Sequence, residues 1–299
     1  MKRREFIGAA ALGTAALGVS ATPALSAQAP GAPVRRNGRI KQALWRTTFG
    51  DKSPLSFDDM CREAARLGCV GFDMIGPEDW PTLRKHGLRP TLAGTGGVDF
   101  PNGIIHPEVH NTIEAALRPH IDMCAKNDVR TFISVGGQRR GMEFERAADN
   151  AVAFLNRIKS QLEDRQVNIA VENMNNRRTD PRFGREDQVF GHWAWGMGVC
   201  ERVNSPNVKV VCDIYHLQIM DGDVVEYLKR DHKWIAHFHV AGVPSRNEID
   251  GTQELNYRYI AQVIAGLPGW TGYVSHEWRP APGRDVLKSI ADAVELMDV

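Results

Sequence analysis

From Ile40 onward, short runs rich in β-branched and aromatic residues alternate with longer segments whose apolar positions recur every three or four residues. The runs predict strands over 41–46, 69–74, 88–93, 129–135, 167–172, 208–213, 234–240 and 272–277. Between them the spacing predicts helices over 57–67, 110–127, 143–163, 224–230, 255–265 and 284–296, with a shorter piece of a few turns over 78–86. In the fourth connection Phe144, Ala147, Ala148, Ala151, Phe154, Leu155 and Ile158 fall on one helical face, which suits it to cover a sheet. With both faces of the sheet covered, a run such as Val208 to Cys212 can be largely apolar. Eight strands in strict alternation with helices make the chain an α/β protein, read as a single-domain (β/α)8 TIM barrel.

A doubly wound nucleotide-binding sheet is the competing α/β architecture. Glycines cluster at Gly94, Gly96 and Gly97 and again at Gly136 and Gly137, but neither cluster forms a Gly-x-Gly-x-x-Gly turn from strand to helix. The segment 181–202 is longer than a barrel connection needs, and its Trp193 and Trp195 can cap the mouth or pack against the barrel. Residues 1–29 read differently from the rest: Lys2, Arg3 and Arg4 precede a weakly hydrophobic Ala- and Gly-rich stretch, the pattern of a twin-arginine export signal. A Pro-, Gly- and Arg-rich linker over 30–37 leads into a barrel domain over 38–299. The mature protein is therefore expected in the periplasm, with no stable membrane anchor once processed.

Charge narrows the partners. With 37 basic and 36 acidic residues the chain has no global field to recruit nucleic acid, so none is expected. The odd number of cysteines, 5, and their lack of paired spacing argue for buried free thiols and against a disulfide framework. A small-molecule ligand fits better, and a homo-oligomer is compatible with this reading.

The candidate chemistry lies at the ends of the later strands. Runs ending at or near Glu172, Asp213, His239 and Glu277 each close on an acidic residue or a histidine. In a barrel the C-terminal strand ends surround one mouth, so four βα units contribute to the same space. Three carboxylates gathered there repel one another unless a cation compensates, and oxygen donors with one imidazole suit Mg, Mn or Co. His237 shares a strand face with His239 and is expected to be a supporting partner. His216, expected on the loop leaving the sixth strand, and Arg246 are candidate substrate contacts, because imidazole donates to hydroxyl or carbonyl oxygens and guanidinium clamps carboxylates. The structural alternatives are a histidine holding its loop and an arginine paired with Glu248.

The stretches Val171-Glu172-Asn173, Cys212-Asp213-Ile214-Tyr215-His216-Leu217-Gln218, His237 through Glu248, Glu254-Leu255-Asn256-Tyr257, Gly272-Tyr273-Val274 and Glu277-Trp278-Arg279-Pro280 together resemble the hydroxypyruvate isomerase family. That family lies within the xylose-isomerase-like TIM-barrel superfamily, which also holds AP-endonuclease family 2. The resemblance implies metal ligands at Glu172, Asp213, His239 and Glu277, catalytic acid and base roles for Glu172 and Glu277, and substrate contacts from His216, Arg246 and Glu254. At two positions the chain departs from the hydroxypyruvate isomerase pattern: His239 stands where glutamine is usual, as in related ketose 3-epimerases, and Ser245 replaces a glycine. The implied activity is metal-dependent isomerisation of a small hydroxy-carbonyl compound or sugar by enediolate proton transfer, with sugar 3-epimerisation as the alternative. A metal-dependent hydrolase or endonuclease and a non-catalytic sugar-binding protein are more remote readings, and no Gly-x-Ser-x-Gly elbow marks a serine hydrolase.

Overall fold

The computed structural model describes residues 33–34, 36–177 and 187–299, all within one compact unit, Ala32–Val299. Its strands are β1 (Gln42–Leu44), β2 (Gly71–Asp73), β3 (Arg89–Leu92), β4 (Thr131–Ser134), β5 (Asn168–Glu172), β6 (Val208–Asp213), β7 (Ile235–Val240) and β8 (Tyr273–His276). They pair in parallel in the order β3-β2-β1-β8-β7-β6-β5-β4. Ala93 closes the remaining gap: its N–H donates to Thr131 O at 3.0 Å and its carbonyl accepts from Ile133 N at 3.1 Å. This bridge brings β3 and β4 together, and the eight strands form the expected barrel, closed at this seam through Ala93.

Around it run α1 (Phe57–Arg66), α2 (Trp80–Lys85), α3 (His110–Lys126), α4 (Phe144–Arg165), α5 (Trp193–Val203), α6 (Ile214–Met220), α7 (Val224–Asp231), α8 (Tyr257–Ala265) and α9 (Val286–Met297). Local chemistry starts several of them; Ser56 and Asp59 form a reciprocal capping box on α1, and Asp285 caps α9 through Lys288 N. The predicted α4 face, Phe144 to Ile158, is buried with one exception, and Leu162 extends it. Phe144 is 45% exposed, because it opens the helix beyond the barrel wall, and the Arg139 guanidinium covers its ring at 4.1 Å.

Strand alternation separates two cores. Phe72, Val210, Cys212, Phe238, Val240 and Val274 turn outward into the layer between strands and helices. Leu92, Ile133, Ala170 and Val211 form a second, smaller cluster from β3, β4, β5 and β6, filling the barrel interior. The polar strand-end residues continue this inner face.

The expected export signal, 1–29, and residues 178–186 lie outside the described residues. The described part of the expected linker is tied to the barrel: Val34 N donates to Arg66 O at 2.8 Å, Arg36 Nε to Leu67 O at 2.9 Å, and Asn37 N to the Asp298 carboxylate at 2.9 Å. All five cysteines are free and buried, and burial pushes the thiols of Cys61, Cys69, Cys124 and Cys200 up to about 12. Trp193 and Trp195 pack against the barrel on α5: the Trp193 ring is fully buried and donates to Asp231 at 2.8 Å, while Trp195 donates to Phe144 O at 3.3 Å. No described helix is long and apolar enough to cross a membrane.

Candidate metal and proton-transfer site

Glu172 and Asp213 are the last residues of β5 and β6, His239 is the penultimate residue of β7, and Glu277 follows β8 directly. Register does the assembly, since Asp213 pairs with His239 across β6 and β7, and Val240 with His276 across β7 and β8. The four residues offer ligand atoms within 4.8 Å of one another. His239 Nδ1 lies 2.9 Å from Glu172 Oε1 and 2.9 Å from Glu277 Oε2, so one imidazole nitrogen is shared by carboxylates from strands on either side.

Asp213 is also the cap of α6, accepting the His216 N–H at 3.2 Å. This corrects the expectation that His216 stands on a loop: its backbone enters a helix because the aspartate satisfies an orphan donor of the first turn. Asn173 locks β5 to β6 by donating to Asp213 O at 3.0 Å and accepting from Asp213 N at 2.8 Å. His216 is fully buried, accepts at Nδ1 from Asn175 N at 3.1 Å, and turns Nε2 toward Asp213 Oδ2 at 3.4 Å.

Arg246 reaches the same cluster from the loop after β7. Its Nη2 lies 2.9 Å from Asp213 Oδ2 and 2.7 Å from Glu277 Oε2, and its Nη1 2.9 Å from His216 Nε2. Glu248 instead accepts from Ala281 N at 3.1 Å and from Ser289 Oγ at 3.2 Å, so the Arg246–Glu248 alternative is not the pairing adopted. The loop is held tightly: Tyr257 OH donates to Ala241 O at 2.7 Å, Arg279 N donates to Arg246 O at 3.0 Å, and Gly242 pairs with Asn247. A Cβ on Gly242 would stand 2.2 Å from the Glu248 carbonyl oxygen, so only glycine fits there. Arg246 itself occupies the left-handed region at φ 58°, a conformation this anchoring must hold in place. Glu254 remains outside the buried cluster; it is exposed, and Gln218 donates to it at 3.4 Å.

One buried acid was missed in the sequence. Asp73, at the end of β2, is 1% exposed and accepts from Thr91 Oγ1 at 2.5 Å; its Oδ2 faces His237 Nε2 at 2.7 Å and His239 Nε2 at 3.2 Å. The available signal was a carboxylate alternating with Phe72 in a buried strand, since such a group is rarely buried without a partner. His237 accordingly supports the site through Asp73. Trp45, just past β1, sets its ring edge-on to His239 at 5.6 Å.

The electrostatics are those of a crowded anionic pocket. Burial raises the Asp213 carboxyl to about 6, against the lowering effect of Arg246. Burial alone would depress His239, but the Glu277 charge and the hydrogen bonds the ring donates to Asp73 and Glu172 carry it well above its ordinary value. Asp73 moves the other way: burial raises it, but the two histidines outweigh that and hold it low. Three carboxylates converging with one imidazole at ligand spacing fit a hard or borderline divalent cation, which would relieve this repulsion.

A family model for the xylose isomerase-like TIM barrel matches residues 61–298. Among curated relatives, 2-oxo-tetronate isomerase of Cupriavidus necator is 40% identical over 118 residues, covering 39% of this chain and only 42% of that protein's length. Among solved structures, an AP endonuclease of family 2 from Brucella melitensis superposes with TM-score 0.72 at 24% identity, covering 84% of this chain and 97% of its own. The 3-keto-D-glucoside 4-epimerase of E. coli superposes with TM-score 0.69 at 16% identity, covering 86% and 98%. Pattern, closed parallel barrel and family match agree, and the chain belongs to the xylose isomerase-like TIM barrel family.

Proposed function

We propose that this protein is a metal-dependent isomerase that moves a proton next to the carbonyl of a small hydroxy-carbonyl compound, a keto acid or sugar of the hydroxypyruvate or 2-oxo-tetronate class. The observation that carries the reading is the pair Glu172 and Glu277, two nearly buried carboxylates meeting at His239 Nδ1 from β5 and β8. Glu172, Asp213, His239 and Glu277 would hold Mg, Mn or Co, which supplies Lewis-acid polarisation of the substrate carbonyl. One glutamate then takes the carbon-bound proton and the other returns it, a task suited to carboxylates placed on either side of a shared point. Arg246 and His216 orient the substrate's oxygens from the β7 and α6 side, and the anchored loop keeps the guanidinium in register with both. The half-buried Trp45, its ring perpendicular to that of His239, would help keep water from the reacting atoms.

Return of the proton to the neighbouring carbon gives isomerisation, and return to the same carbon gives epimerisation. His239, the residue type the chain shares with ketose 3-epimerases, favours keeping 3-epimerisation as the second reading. Both are tested by incubating Mn2+-loaded protein with hydroxypyruvate, 2-oxo-tetronate, tetroses and ketohexoses in D2O and following deuterium at carbon. Glu172→Gln and Glu277→Gln should each lower exchange by about 10²–10⁴-fold while the fold persists. Tight metal binding with no exchange into any of these compounds would refute the proposal.

A further inference from the structure

We propose that Asp73 is a positioning residue for the site: by accepting the Nε2–H of His239 it turns Nδ1 into the carboxylate cluster, where a bound cation would take the place of the Nδ1 proton. This deepens, and rests on, the metal-dependent reading above.

An imidazole can present either nitrogen, and what the second nitrogen bonds decides which one is free to ligate. In His239 the division is clear. Nδ1 lies 2.9 Å from both Glu172 Oε1 and Glu277 Oε2, while Nε2 points away from them to Asp73 Oδ2 at 3.2 Å. Flipping the ring about Cβ–Cγ would put Cδ2 at the carboxylate cluster and Cε1 at Asp73, losing the contacts of both nitrogens. The Trp45 ring, perpendicular to the imidazole with the two ring centroids 5.6 Å apart, limits the ring's tilt.

Asp73 can set the ring only because it is itself immobile. Thr91 Oγ1 donates to its Oδ1 at 2.5 Å, and His237 Nε2 shares its Oδ2 at 2.7 Å. The pairing of β2 with β3 shifts between Phe72 and Asp73, which places Asp73 opposite Leu92, and Met74 N seals that shift on Leu92 O at 2.9 Å. His237 finds no hydrogen-bond partner for Nδ1 among the described residues, so its polar anchorage is this same carboxylate. Asp73, Thr91, His237 and His239 are all buried. Asp73, His237 and Thr91 thus form a support running inward from the cluster through three strands, β2, β3 and β7.

The test uses Mn2+ as the probe and compares wild type with Asp73→Leu, Asp73→Asn and Thr91→Val, reading affinity from the electron paramagnetic resonance of free Mn2+ and recording Tm alongside. Asn at this position can give its NH2 to Thr91 and its carbonyl oxygen to both imidazoles, so it keeps the acceptor and loses the charge. Asp73→Leu should weaken Mn2+ binding by about 10–100-fold, Asp73→Asn should fall between it and wild type, and Thr91→Val should lie closest to wild type. In Zn2+-loaded protein with 15N-labelled histidine, the wild type should show a protonated, exchange-protected Nε2 and a metal-shifted Nδ1 for His239, and Asp73→Leu should lose the protection. Wild-type Mn2+ affinity in Asp73→Leu overturns the proposal. So does an equal loss in the Leu and Asn variants that tracks a fall in Tm, because a merely structural role predicts that. Absence of Mn2+ binding by wild type overturns it together with the metal-dependent reading. Mn2+ binding that responds to Asp73 as expected, with no deuterium exchange by any substrate, supports the positioning role and overturns the isomerase reading alone.

Discussion

Metal loading should be coupled to proton release, with a count that changes near pH 6. Burial raises the Asp213 carboxyl to about 6, and the Glu277 and Glu172 environment carries His239 well above its ordinary value. Below pH 6 the metal-free site therefore holds a proton on each of these two groups. A divalent cation must displace both, and apparent affinity should rise about 100-fold per pH unit, equivalent to about 2.7 kcal/mol. Above pH 6 Asp213 is already ionised and only the His239 proton remains to be displaced, so the slope should fall to about tenfold per unit, or about 1.4 kcal/mol. The sign is fixed by which state holds the protons: binding releases them, so raising pH favours the bound form. Calorimetric titration with Mn2+ at pH 5 to 8, in buffers of differing ionisation heat, measures both affinity and protons released. Asp213→Asn should remove one proton from the count below pH 6 and leave the count above it unchanged. An affinity that stays flat across this range, or net proton uptake on binding, would refute the assignment of these two groups to the metal site.

Acid stability should depend on His276, which burial holds near 3; its Nε2 lies 2.9 Å from Gln42 Oε1 and its Nδ1 accepts from Trp278 at 3.3 Å. The unfolded chain takes a proton at this group below about 6.5 and the native state does not, so stability is full above that value and falls by about 1.4 kcal/mol per pH unit toward 3. Urea melts at pH 5 and 7 should show a smaller acid loss in His276→Gln, by about 2 kcal/mol. Arg246→Met leaves Asp213 and Glu277 without the guanidinium that touches both, which should cost about 3–5 kcal/mol, on the order of 10 °C in Tm, in metal-free protein. Most of that loss should be recovered on adding Mn2+, and an equal Tm loss with and without the ion would count against a shared anionic pocket. Gly242→Ala forces a Cβ to within 2.2 Å of the Glu248 carbonyl oxygen, so the loop must shift, costing about 1–3 kcal/mol by thermal melt and displacing Arg246 enough to lower turnover.

How much of this was legible before folding differs from residue to residue. The eight strands and the helices α1, α3, α4, α7, α8 and α9 were readable because burial on a barrel imposes a period of two or of 3.6 on the chain itself. Glu172, Asp213, His239 and Glu277 were readable for the same reason: strand ends share one mouth by topology, whatever the side chains do. Partner choice was not readable. Asp73 meets His237 across 164 residues of sequence, and only the β2 to β3 register shift and the closed barrel bring them together. Arg246 selects Asp213 and Glu277 over the nearby Glu248 because an anchored loop, with its left-handed turn, aims the guanidinium inward. His216 enters a helix because Asp213 caps it, while Glu254, close to the same site in the chain, is left on the exposed side. Periodicity, which is local, thus determined the architecture and the place of the site. Hydrogen-bond partners a few ångströms apart in space and far apart in sequence are set by strand register and loop path, and those only the tertiary structure decided.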